Sequence, residues 1–280
     1  MAVRAVDRLL AAYLALVSVV AVARGGLTDP KIWWLLLAHT LFGILLYLFT
    51  RLRQQQRTGQ AIRVLYPLIL LPGLYAEIGI LSLQLDVAGT FARDATIQRL
   101  EAAVFGSQIS YEWIRRAPSV FWSGVLHLAY LSYYPIVYLG PPLLLVRGER
   151  DRARRVVFAI LTAYVVCFVV FVLYPVAGPN YAFAHPEGPV RDVWSARFVY
   201  WLLSGGSSFG AAFPSSHVAA TVAAVLILWR EWRALAAVLA APAVLMVIGT
   251  VYCQMHYGLD ALVGLVLGVG AFTAGMKLAA

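Results

Sequence analysis

Apolar residues fill long stretches of this chain, and short polar stretches separate them. Eight apolar segments can be drawn along the 280 residues, at about 8–23, 31–50, 62–85, 119–146, 156–175, 213–229, 234–252 and 258–277. A helix that crosses a bilayer needs about 20 predominantly apolar residues, and these segments approach or exceed that length. The pattern therefore predicts an all-α integral membrane protein, a helical bundle of about eight transmembrane helices.

Composition supports a membrane protein, and the distribution of charge orients it. Hydrophobic residues make up 62% of the chain and charged residues only 12%, which is about half the charged share of a soluble domain. The net charge of +9 comes mostly from Lys and Arg in short loops, so we expect no nucleic-acid partner. If the loop RGERDRARR (147–155) is cytoplasmic, alternation places 14 of the 22 Lys and Arg on that side, as the positive-inside rule requires. Both termini are then cytoplasmic.

The first apolar segment has a second interpretation. Arg4 and Arg8, a short apolar run and the small residues at 21–23 also resemble a signal peptide with its cleavage site. The second helix keeps its orientation under either interpretation. The compact loops of the chain indicate a bacterial inner (plasma) membrane.

A first polar segment on the extracytoplasmic side spans residues 86–118. It contains DATIQRLEAAVFG, in which Asp94 would cap a short helix. Ile97, Leu100 and Val104 would share one face of that helix. This pattern indicates a helix that lies in the membrane interface.

A second polar segment, residues 176–212, is rich in Gly, Pro and Ser, and it predicts an irregular loop. No internal repeat and no soluble domain interrupts the pattern. We therefore expect N-terminal transmembrane helices with an interfacial segment in residues 1–118, and a catalytic transmembrane core in residues 119–280.

The two cysteines do not suggest a disulfide or a metal site. Cys167 lies in the middle of one apolar segment and Cys253 near the end of another, so the two side chains should lie at different depths. Both are interpreted as small packing residues. We expect neither a metal nor an organic cofactor.

Two stretches place polar residues at the mouths of apolar segments. The first is AAFPSSHVAA at 211–220, with His217, and the second is YCQMHYGLDAL at 252–262, with His256. The predicted topology puts both stretches on the extracytoplasmic side, where ionisable side chains can reach water. We expect them to meet in one site that handles phosphate.

The residue types in these stretches indicate complementary roles. His256 and Asp260 are four residues apart, so on a helix they would share a face within hydrogen-bond reach. A carboxylate bound to one imidazole nitrogen sets the tautomer and leaves the other nitrogen free to attack. Pro214 would open the sixth helix, and the hydroxyls of Ser215 and Ser216 beside its free backbone N–H groups would bind an anion.

Close packing should bring the two stretches together. His217, just inside the sixth helix, could protonate a departing oxygen. Gly264 and Gly268 continue the helical row of Asp260, and the absence of side chains there lets a neighbouring helix approach closely. The sixth helix is suited to that contact because of its small residues, which are Ala219, Ala220, Ala223 and Ala224.

These motifs resemble those of the type 2 phosphatidic acid phosphatase superfamily of membrane lipid phosphatases and phosphotransferases. FPSSHVA (213–219) is similar to its second signature, and HYGLD (256–260) followed by Gly264 is similar to its third. The resemblance runs from about Tyr174 to the C-terminus.

The resemblance implies the catalytic roles residue by residue. His256 would become a phosphohistidine, Asp260 would orient it, and His217 would protonate the leaving group. Within the superfamily, the chain looks most like the aureobasidin-resistance branch, which contains fungal inositol phosphorylceramide synthase. The similar elements are FPSSH, with serine where the phosphatases usually have glycine, YPVAGP (174–179), IQRLEAAVFG (97–106) and YLSYYP (130–135).

The basic residues of the phosphatase signatures have no counterpart here. Nothing before FPSSH supplies their lysine and Arg-Pro pair, and Asn180 stands where an arginine would be useful. Phosphoryl transfer depends on electrostatic stabilisation, so another group must bind the phosphate. The candidates are Arg191 and Arg197, followed by Arg115 and Arg116, and the alternative is that these are plain surface charges.

The leading hypothesis is a membrane enzyme that cleaves a lipid phosphate or phosphodiester at the extracytoplasmic face. It would pass the phosphoryl group to a lipid or polyol hydroxyl, or to water. A diester carries less charge than a monoester, so the missing basic residues favour transfer from a diester. Two alternatives stay open. One is a proton-coupled transporter or flippase with a relay through His217, His256 and Asp260; it predicts ionisable residues near mid-membrane, and Glu77 is the one at a possible interior depth. The other is an inactive relative that binds lipid.

Overall fold

The structure is a computed structural model that describes residues 4–51 and 56–277, and Arg53 of the predicted cytoplasmic loops lies outside them. The first eight helices are α1 (Ala5–Gly25), α2 (Pro30–Arg51), α3 (Arg57–Leu85), α4 (Val87–Phe105), α5 (Ile109–Arg116), α6 (Val120–Leu131), α7 (Tyr133–Tyr138) and α8 (Gly140–Val146). The next seven are α9 (Arg150–Leu173), α10 (Pro179–Ala182), α11 (Pro189–Asp192), α12 (Trp194–Gly206), α13 (Ser216–Glu231), α14 (Arg233–Tyr252) and α15 (Gly258–Lys277).

Seven helical segments of this described chain are long and apolar enough to cross a membrane. They are Ala5–Gly25, Pro30–Arg51, Arg57–Ser82, Val120–Val146, Arg150–Leu173, Arg233–Tyr252 and Gly258–Lys277. The remaining predicted segment forms α13, which has only 16 residues and lies in the centre of the bundle. The all-α membrane fold is confirmed.

Buried polar contacts show which helix ends lie together. The Arg63 guanidinium at the start of α3 binds Asp7 at the start of α1, with 2.6 Å between Nη2 and Oδ2. Arg155 at the start of α9 likewise binds Glu231 at the end of α13, at 2.6 Å. These contacts define one end of the bundle, which we call the arginine-rich end. At the opposite end, Arg24 of α1 donates to the backbone oxygen of Val172 in α9, at 2.6 Å.

The centre of the bundle is α13, packed between α9 and α15. The alanines predicted to permit close approach are fully buried. A Cβ atom added at Gly264 would lie 2.7 Å from the backbone oxygen of Ser215, and one at Gly268 would lie 2.7 Å from that of Ala219. No side chain fits at such distances, so the predicted close approach of α13 and α15 is confirmed.

The predicted segment 119–146 contains three short helices instead of one continuous helix. The breaks fall at Ser132 and Leu139, and prolines at 135 and 141 explain them, because proline has no N–H to donate within a helix. The Ser132 hydroxyl donates to the backbone oxygen of Ala129, at 2.6 Å.

The polar segment 86–118 differs from its prediction in two respects. The residue that caps α4 is Asp86, whose carboxylate accepts the Gly89 N–H at 3.0 Å, so the predicted cap at Asp94 is wrong. The predicted apolar face is also divided, because Ile97 is buried while Leu100 and Val104 are exposed. The inner face of α4 instead carries polar side chains.

The predicted irregular loop 176–212 contains helical structure. Two short turns, α10 and α11, precede the 13-residue helix α12. The three aromatic side chains Trp194, Phe198 and Trp201 are exposed on one face of α12. Their spacing of four and three residues explains why they lie together, because it matches the helical repeat.

Candidate active site

His256 lies in a tight turn between α14 and α15. The chain leaves α14 at Tyr252 and passes through Gln254 in a left-handed conformation, with φ of 60°. The N–H groups of Met255 and His256 then both donate to the backbone oxygen of Thr250, at 3.0 and 2.9 Å. Since α15 begins only at Gly258, the prediction that a shared helix face aligns His256 with Asp260 is wrong.

The turn nevertheless brings the His256 ring to the Asp260 carboxylate. Nδ1 of His256 lies 3.0 Å from the backbone oxygen of Ala212 and 3.5 Å from Oδ2 of Asp260. That Oδ2 atom also accepts the Tyr257 N–H, at 2.8 Å. A backbone oxygen can only accept, so Nδ1 carries the proton and Nε2 presents its lone pair.

The other polar stretch forms the N-terminus of α13. Ser215 is the N-cap, and its hydroxyl accepts the Val218 N–H at 3.3 Å. Pro214 therefore precedes the cap and does not occupy the first helical position, which corrects the prediction. The Ser215 N–H donates to the Asp260 backbone oxygen at 3.0 Å. This bond joins the start of α13 directly to the start of α15.

His217 faces His256 across this junction. Nδ1 of His217 lies 3.5 Å from Nε2 of His256. Nε2 of His217 lies 3.5 Å from the Tyr130 hydroxyl, and the Tyr133 ring packs edge-on against the same imidazole, with ring centroids 4.4 Å apart. Two aromatic side chains thus fix the orientation of His217.

Two connected cavities meet at His217. The larger has a volume of about 560 Å³ and is lined by α3, α7, α9, α12 and the start of α13. Its walls contain seven tyrosines, at 75, 130, 133, 134, 138, 164 and 181. The smaller chamber, of about 30 Å³, contacts both His217 and His256 and also includes Asn180. A volume of about 30 Å³ is enough for one water molecule.

The predicted phosphate-binding residues fall into two groups. Ser216 lines the large cavity and Asn180 the small one, whereas Ser215 serves as the helix cap. Arg191 and Arg197 line neither cavity and are exposed. The Arg191 guanidinium lies over the Tyr200 ring, 5.2 Å from its centroid. The structure therefore does not bring these two arginines to His256.

The next two arginine candidates are held on α5. Arg115 donates to Oε1 of Gln254 at 2.7 Å and to the backbone oxygen of Ala184. The Gln254 amide donates in turn to the backbone oxygen of Ala184, at 3.0 Å. Arg116 forms an exposed ion pair with Glu112. Arg115 thus supports the turn that carries His256 and lines neither cavity.

The sequence interpretation missed a row of polar residues on α4 that supports the site. Asp94 accepts hydrogen bonds from the N–H groups of Ala177 and Gly178, at 2.7 and 2.8 Å. It also accepts from the Tyr257 hydroxyl at 2.8 Å, and Gln98 donates to the same hydroxyl at 3.0 Å. The loop after α9 and the turn after His256 are therefore both attached to α4.

Glu101 completes this row one turn further along α4. Its Oε1 atom accepts the N–H of Gly258 at 2.9 Å, and its two oxygens accept the N–H and hydroxyl of Ser110. Burial raises the pKa of Asp94 and of Glu101, although the hydrogen bonds to both carboxylates lower it. The sequence signal for this polar row was the spacing of residues 94, 98 and 101, because residues at i, i+4 and i+7 share a helix face.

Glu77, the acidic residue considered for a proton relay, is fully hydrogen-bonded. The Tyr13 hydroxyl donates to one carboxylate oxygen at 2.8 Å, and Nε2 of His39 lies 2.9 Å from the other. These partners come from α1 and α2, and Glu77 lines neither cavity at His217. Its contacts hold the first three helices together.

Cysteine and metal-ligating residues were also located in the structure. Both cysteines are buried and free. Within residues 4–51 and 56–277, no group of three or more His, Cys, Asp or Glu side chains could hold a metal ion.

These features define a class: a helical membrane protein with two facing histidines at the end of a cavity between its helices. A family model described as the PAP2 superfamily matches residues 95–274, which is more than half of the chain. The chain belongs to this superfamily, whose membrane phosphatases its motifs resemble. It matches no curated protein and no solved structure at a significant level.

Proposed function

We propose that this protein cleaves a lipid phosphoester through a phosphohistidine on His256, at the extracytoplasmic face of a membrane. The observation that carries this proposal is the approach of His217 to His256, at 3.5 Å, where a cavity of about 560 Å³ meets the chamber at His256. Membership of the PAP2 superfamily agrees with a lipid phosphatase type of activity.

His256 is suited to act as the nucleophile. Its Nδ1 proton is held by the backbone oxygen of Ala212 and lies near Asp260, so the Nε2 lone pair is available. When Nε2 attacks phosphorus, positive charge develops on the ring. The buried Asp260 carboxylate stabilises that charge, because a negative charge acts strongly at a site from which water is excluded.

His217 is suited to transfer the proton. In the first step the N–P bond forms, the P–O bond to the leaving alcohol breaks, and a protonated His217 gives its proton to the leaving oxygen. In the second step neutral His217 takes the proton of an acceptor hydroxyl. That oxygen then attacks phosphorus, and the N–P bond breaks. One imidazole thus serves as acid and then as base, which fits the common role of histidine in catalysis.

The phosphate oxygens would be bound by neutral donors. The N–H groups of Ser216 and His217 belong to the first turn of α13, whose N–H groups have no partner within the helix. Asn180 adds a side-chain amide in the small chamber. Neutral donors suit the single negative charge of a phosphodiester better than the double charge of a monoester, so we favour a phosphodiester substrate.

The large cavity is suited to the lipid part of the reaction. Ile80 and Gly206 line it and are exposed at the surface, so a lipid can reach it from the side, between α3 and α12. Its tyrosine hydroxyls give hydrogen-bond partners to polar groups of a lipid alcohol or polyol. We therefore favour phosphoryl transfer to such a hydroxyl, as in the inositol phosphorylceramide synthase branch, over transfer to water.

The proposed orientation follows from the arginine-rich end. The positive-inside rule places that end in the cytoplasm, of a bacterial inner membrane in our proposal, and the site on the other side. A reporter enzyme that works only in the cytoplasm should then be active when it is fused after residue 280. Activity of a periplasmic reporter at the same position would reverse the assignment.

An assay of the purified protein tests the proposed activity. Labelled lipid phosphates, pyrophosphates and phosphoinositides are supplied with and without ceramide or diacylglycerol, and both free phosphate and new lipids are measured. A new phospholipid that forms only with the alcohol present indicates a transferase. Phosphate release without it indicates a phosphatase. No turnover of any substrate, in a preparation that is folded, would contradict the proposal.

A further inference from the structure

A second large cavity lies at the arginine-rich end, on the far side of the bundle from His256. It has a volume of about 570 Å³ and is bounded by the first turns of α1 and α9 and by α3. Its lining residues are Arg4, Ala5, Val6, Arg8, Val64, Asp151, Arg154, Arg155, Val157 and Phe158. The proposed catalytic function makes no use of any of them.

The ionisable side chains of this cavity are four arginines and one aspartate. Arg155 is bound by Glu231 through two hydrogen bonds, at 2.7 and 2.6 Å. In the described chain Arg154 forms an ion pair with Asp151, at 3.0 Å, and the Asp151 side chain is 80% exposed. An ion pair this exposed to solvent contributes little binding energy. The Arg8 guanidinium has no partner in the described chain. Positive charge in the cavity is therefore incompletely neutralised.

Two arginines of the cavity lining also have a buried donor without an acceptor. The Nε atoms of Arg4 and Arg154 are buried, and in the described chain neither has a hydrogen-bond partner. A buried donor without a partner costs free energy. An anion with several acceptor oxygens would instead bind the accessible guanidinium groups of Arg8 and Arg154, and phosphate suits guanidinium groups because it can accept paired hydrogen bonds.

The rest of the lining limits which anion fits. Val6, Val64, Val157 and Phe158 give the cavity an apolar wall beside its arginines. The candidate membrane helices α1 and α9 begin at this level, and the ends of membrane helices reach the head-group region of a bilayer. An apolar wall next to cationic groups matches a lipid, whose glycerol and first acyl carbons adjoin its phosphate.

We propose that this cavity binds the phosphodiester head group of an anionic phospholipid in the leaflet opposite to the catalytic site. The lipid would fill the space between α1, α3 and α9 and supply acceptors to the guanidinium groups. It would thereby join the N-terminal helix to the catalytic core. This proposal does not depend on the reaction proposed for His256.

Native mass spectrometry of the purified full chain tests the proposal. The protein carries His256→Ala, so that turnover cannot consume the lipid, and is titrated with phosphatidylglycerol, with phosphatidylcholine of the same acyl chains, or with inorganic phosphate. The test variant adds Arg8→Gln and Arg154→Gln. The matched control adds Arg233→Gln, which lies at the same end of the bundle, over the Trp229 ring and outside the cavity.

We expect one phosphatidylglycerol to bind more tightly than phosphatidylcholine. The double substitution should weaken phosphatidylglycerol binding by roughly tenfold or more, because each arginine near an anionic head group contributes on the order of fivefold and the two contributions multiply. The control should bind normally. Equal retention of both lipids, or normal binding by the double variant, would overturn the proposal. If inorganic phosphate binds in an arginine-dependent way and neither lipid is preferred, the ligand is free phosphate, and the lipid proposal is overturned as well.

Melting temperatures without added lipid accompany the titration, to exclude misfolding. The double variant should unfold within a few degrees of the control, because Arg8 has no partner and the Arg154 pair is open to solvent. If the double variant unfolds early, Arg8→Gln alone provides the comparison. Normal lipid binding by that single variant would then count against the proposal.

Discussion

Nε2 of His256 and Nδ1 of His217 lie 3.5 Å apart, although α14 and the turn after it separate the two residues in the chain. At that distance the imidazoles are in contact, and no phosphorus atom fits between them. The adjoining chamber of about 30 Å³ is also smaller than a phosphoryl group. In the proposed reaction a substrate would therefore have to separate the two rings before Nε2 attacks, which would leave His217 facing the leaving oxygen.

Substitution of His256, the proposed nucleophile, should abolish turnover. We expect His256→Ala to lower kcat by about four orders of magnitude or more, as for other covalent nucleophiles. Wild-type protein quenched in alkali during turnover of a lipid labelled on phosphorus should retain label that is lost in acid, and the variant should retain none. Full activity of a folded His256→Ala protein would show that the assignment of the nucleophile is wrong.

The effect of replacing His217, the proposed general acid, should depend on the leaving group. We expect His217→Asn to lower kcat by about 10²–10⁴-fold with a lipid alcohol as leaving group. In the first step, measured as the initial burst of nitrophenolate, the loss should be much smaller with a nitrophenyl phosphodiester, because nitrophenolate departs without a proton, whereas the second step uses His217 as base with either substrate. Equal losses with both substrates in the first step would indicate that His217 only positions the phosphate.

The hydrogen-bond pattern of α4 predicts that its two buried carboxylates differ in sensitivity. The two oxygens of the Asp94 carboxylate accept from the N–H groups of Ala177 and Gly178 separately. Asp94→Asn has only one side-chain oxygen, so it must leave one of these N–H groups unpaired. Glu101→Gln can keep both N–H bonds on Oε1, while its amide donates to the Ser110 hydroxyl. We expect Asp94→Asn to destabilise the folded site by about 1–3 kcal/mol, the cost of a buried donor left unpaired. Glu101→Gln should destabilise it less.

Activity assays at saturating and limiting substrate test this difference. Asp94→Asn should lower kcat more than it raises KM, because the turn that carries His256 is displaced. Glu112→Gln, which removes only an ion pair with the exposed Arg116, is the control and should be neutral. If Glu101→Gln proves the more damaging of the two, the proposed hydrogen-bond roles are incorrect.

Glycines on α15 should tolerate alanine only where α13 is distant. At Gly264 and Gly268 an added Cβ would meet backbone oxygens of α13 at 2.7 Å, whereas at Gly270 nothing lies within 4 Å. We expect Gly264→Ala and Gly268→Ala to destabilise the protein by about 1–3 kcal/mol and to reduce activity. Gly270→Ala should behave as wild type. Thermal unfolding in detergent measures these effects, and similar melting temperatures for all three variants would refute the packing.

The effect of substituting each phosphate-binding candidate should depend on whether the residue lines a cavity at the site. Asn180 lines the chamber at His256, so Asn180→Ala should raise KM or lower kcat by roughly tenfold, the value of one good hydrogen bond to a charged group. Arg191→Gln and Arg197→Gln should leave turnover of a detergent-soluble short-chain substrate unchanged, because both residues are exposed and outside the cavities. A large loss in either arginine variant would mean that the outer loop moves over the site during turnover.

Several features of this protein could be predicted from its sequence alone, because they depend on local pattern. Runs of apolar residues determine membrane helices, since a helix satisfies its own backbone hydrogen bonds in lipid. The alanines of α13 and Gly264 and Gly268 of α15 predicted the contact that the structure contains. The motifs around His217 and His256 identified the superfamily to which the chain belongs.

Other features depend on contacts between distant parts of the chain, which periodicity does not encode. His256 lies in a turn, so its orientation comes from the backbone oxygen of Ala212 and not from a helical repeat. Asp94 has the appearance of a helix cap in the sequence, yet its partners are more than 80 residues away. Arg191 and Arg197 looked suitable as phosphate ligands because of their charge, and only the tertiary structure places them outside the cavities. Local sequence thus determined which helices and motifs exist, whereas the packing of loops and carboxylates decided which polar groups meet, because a buried hydrogen bond depends on where both partners lie.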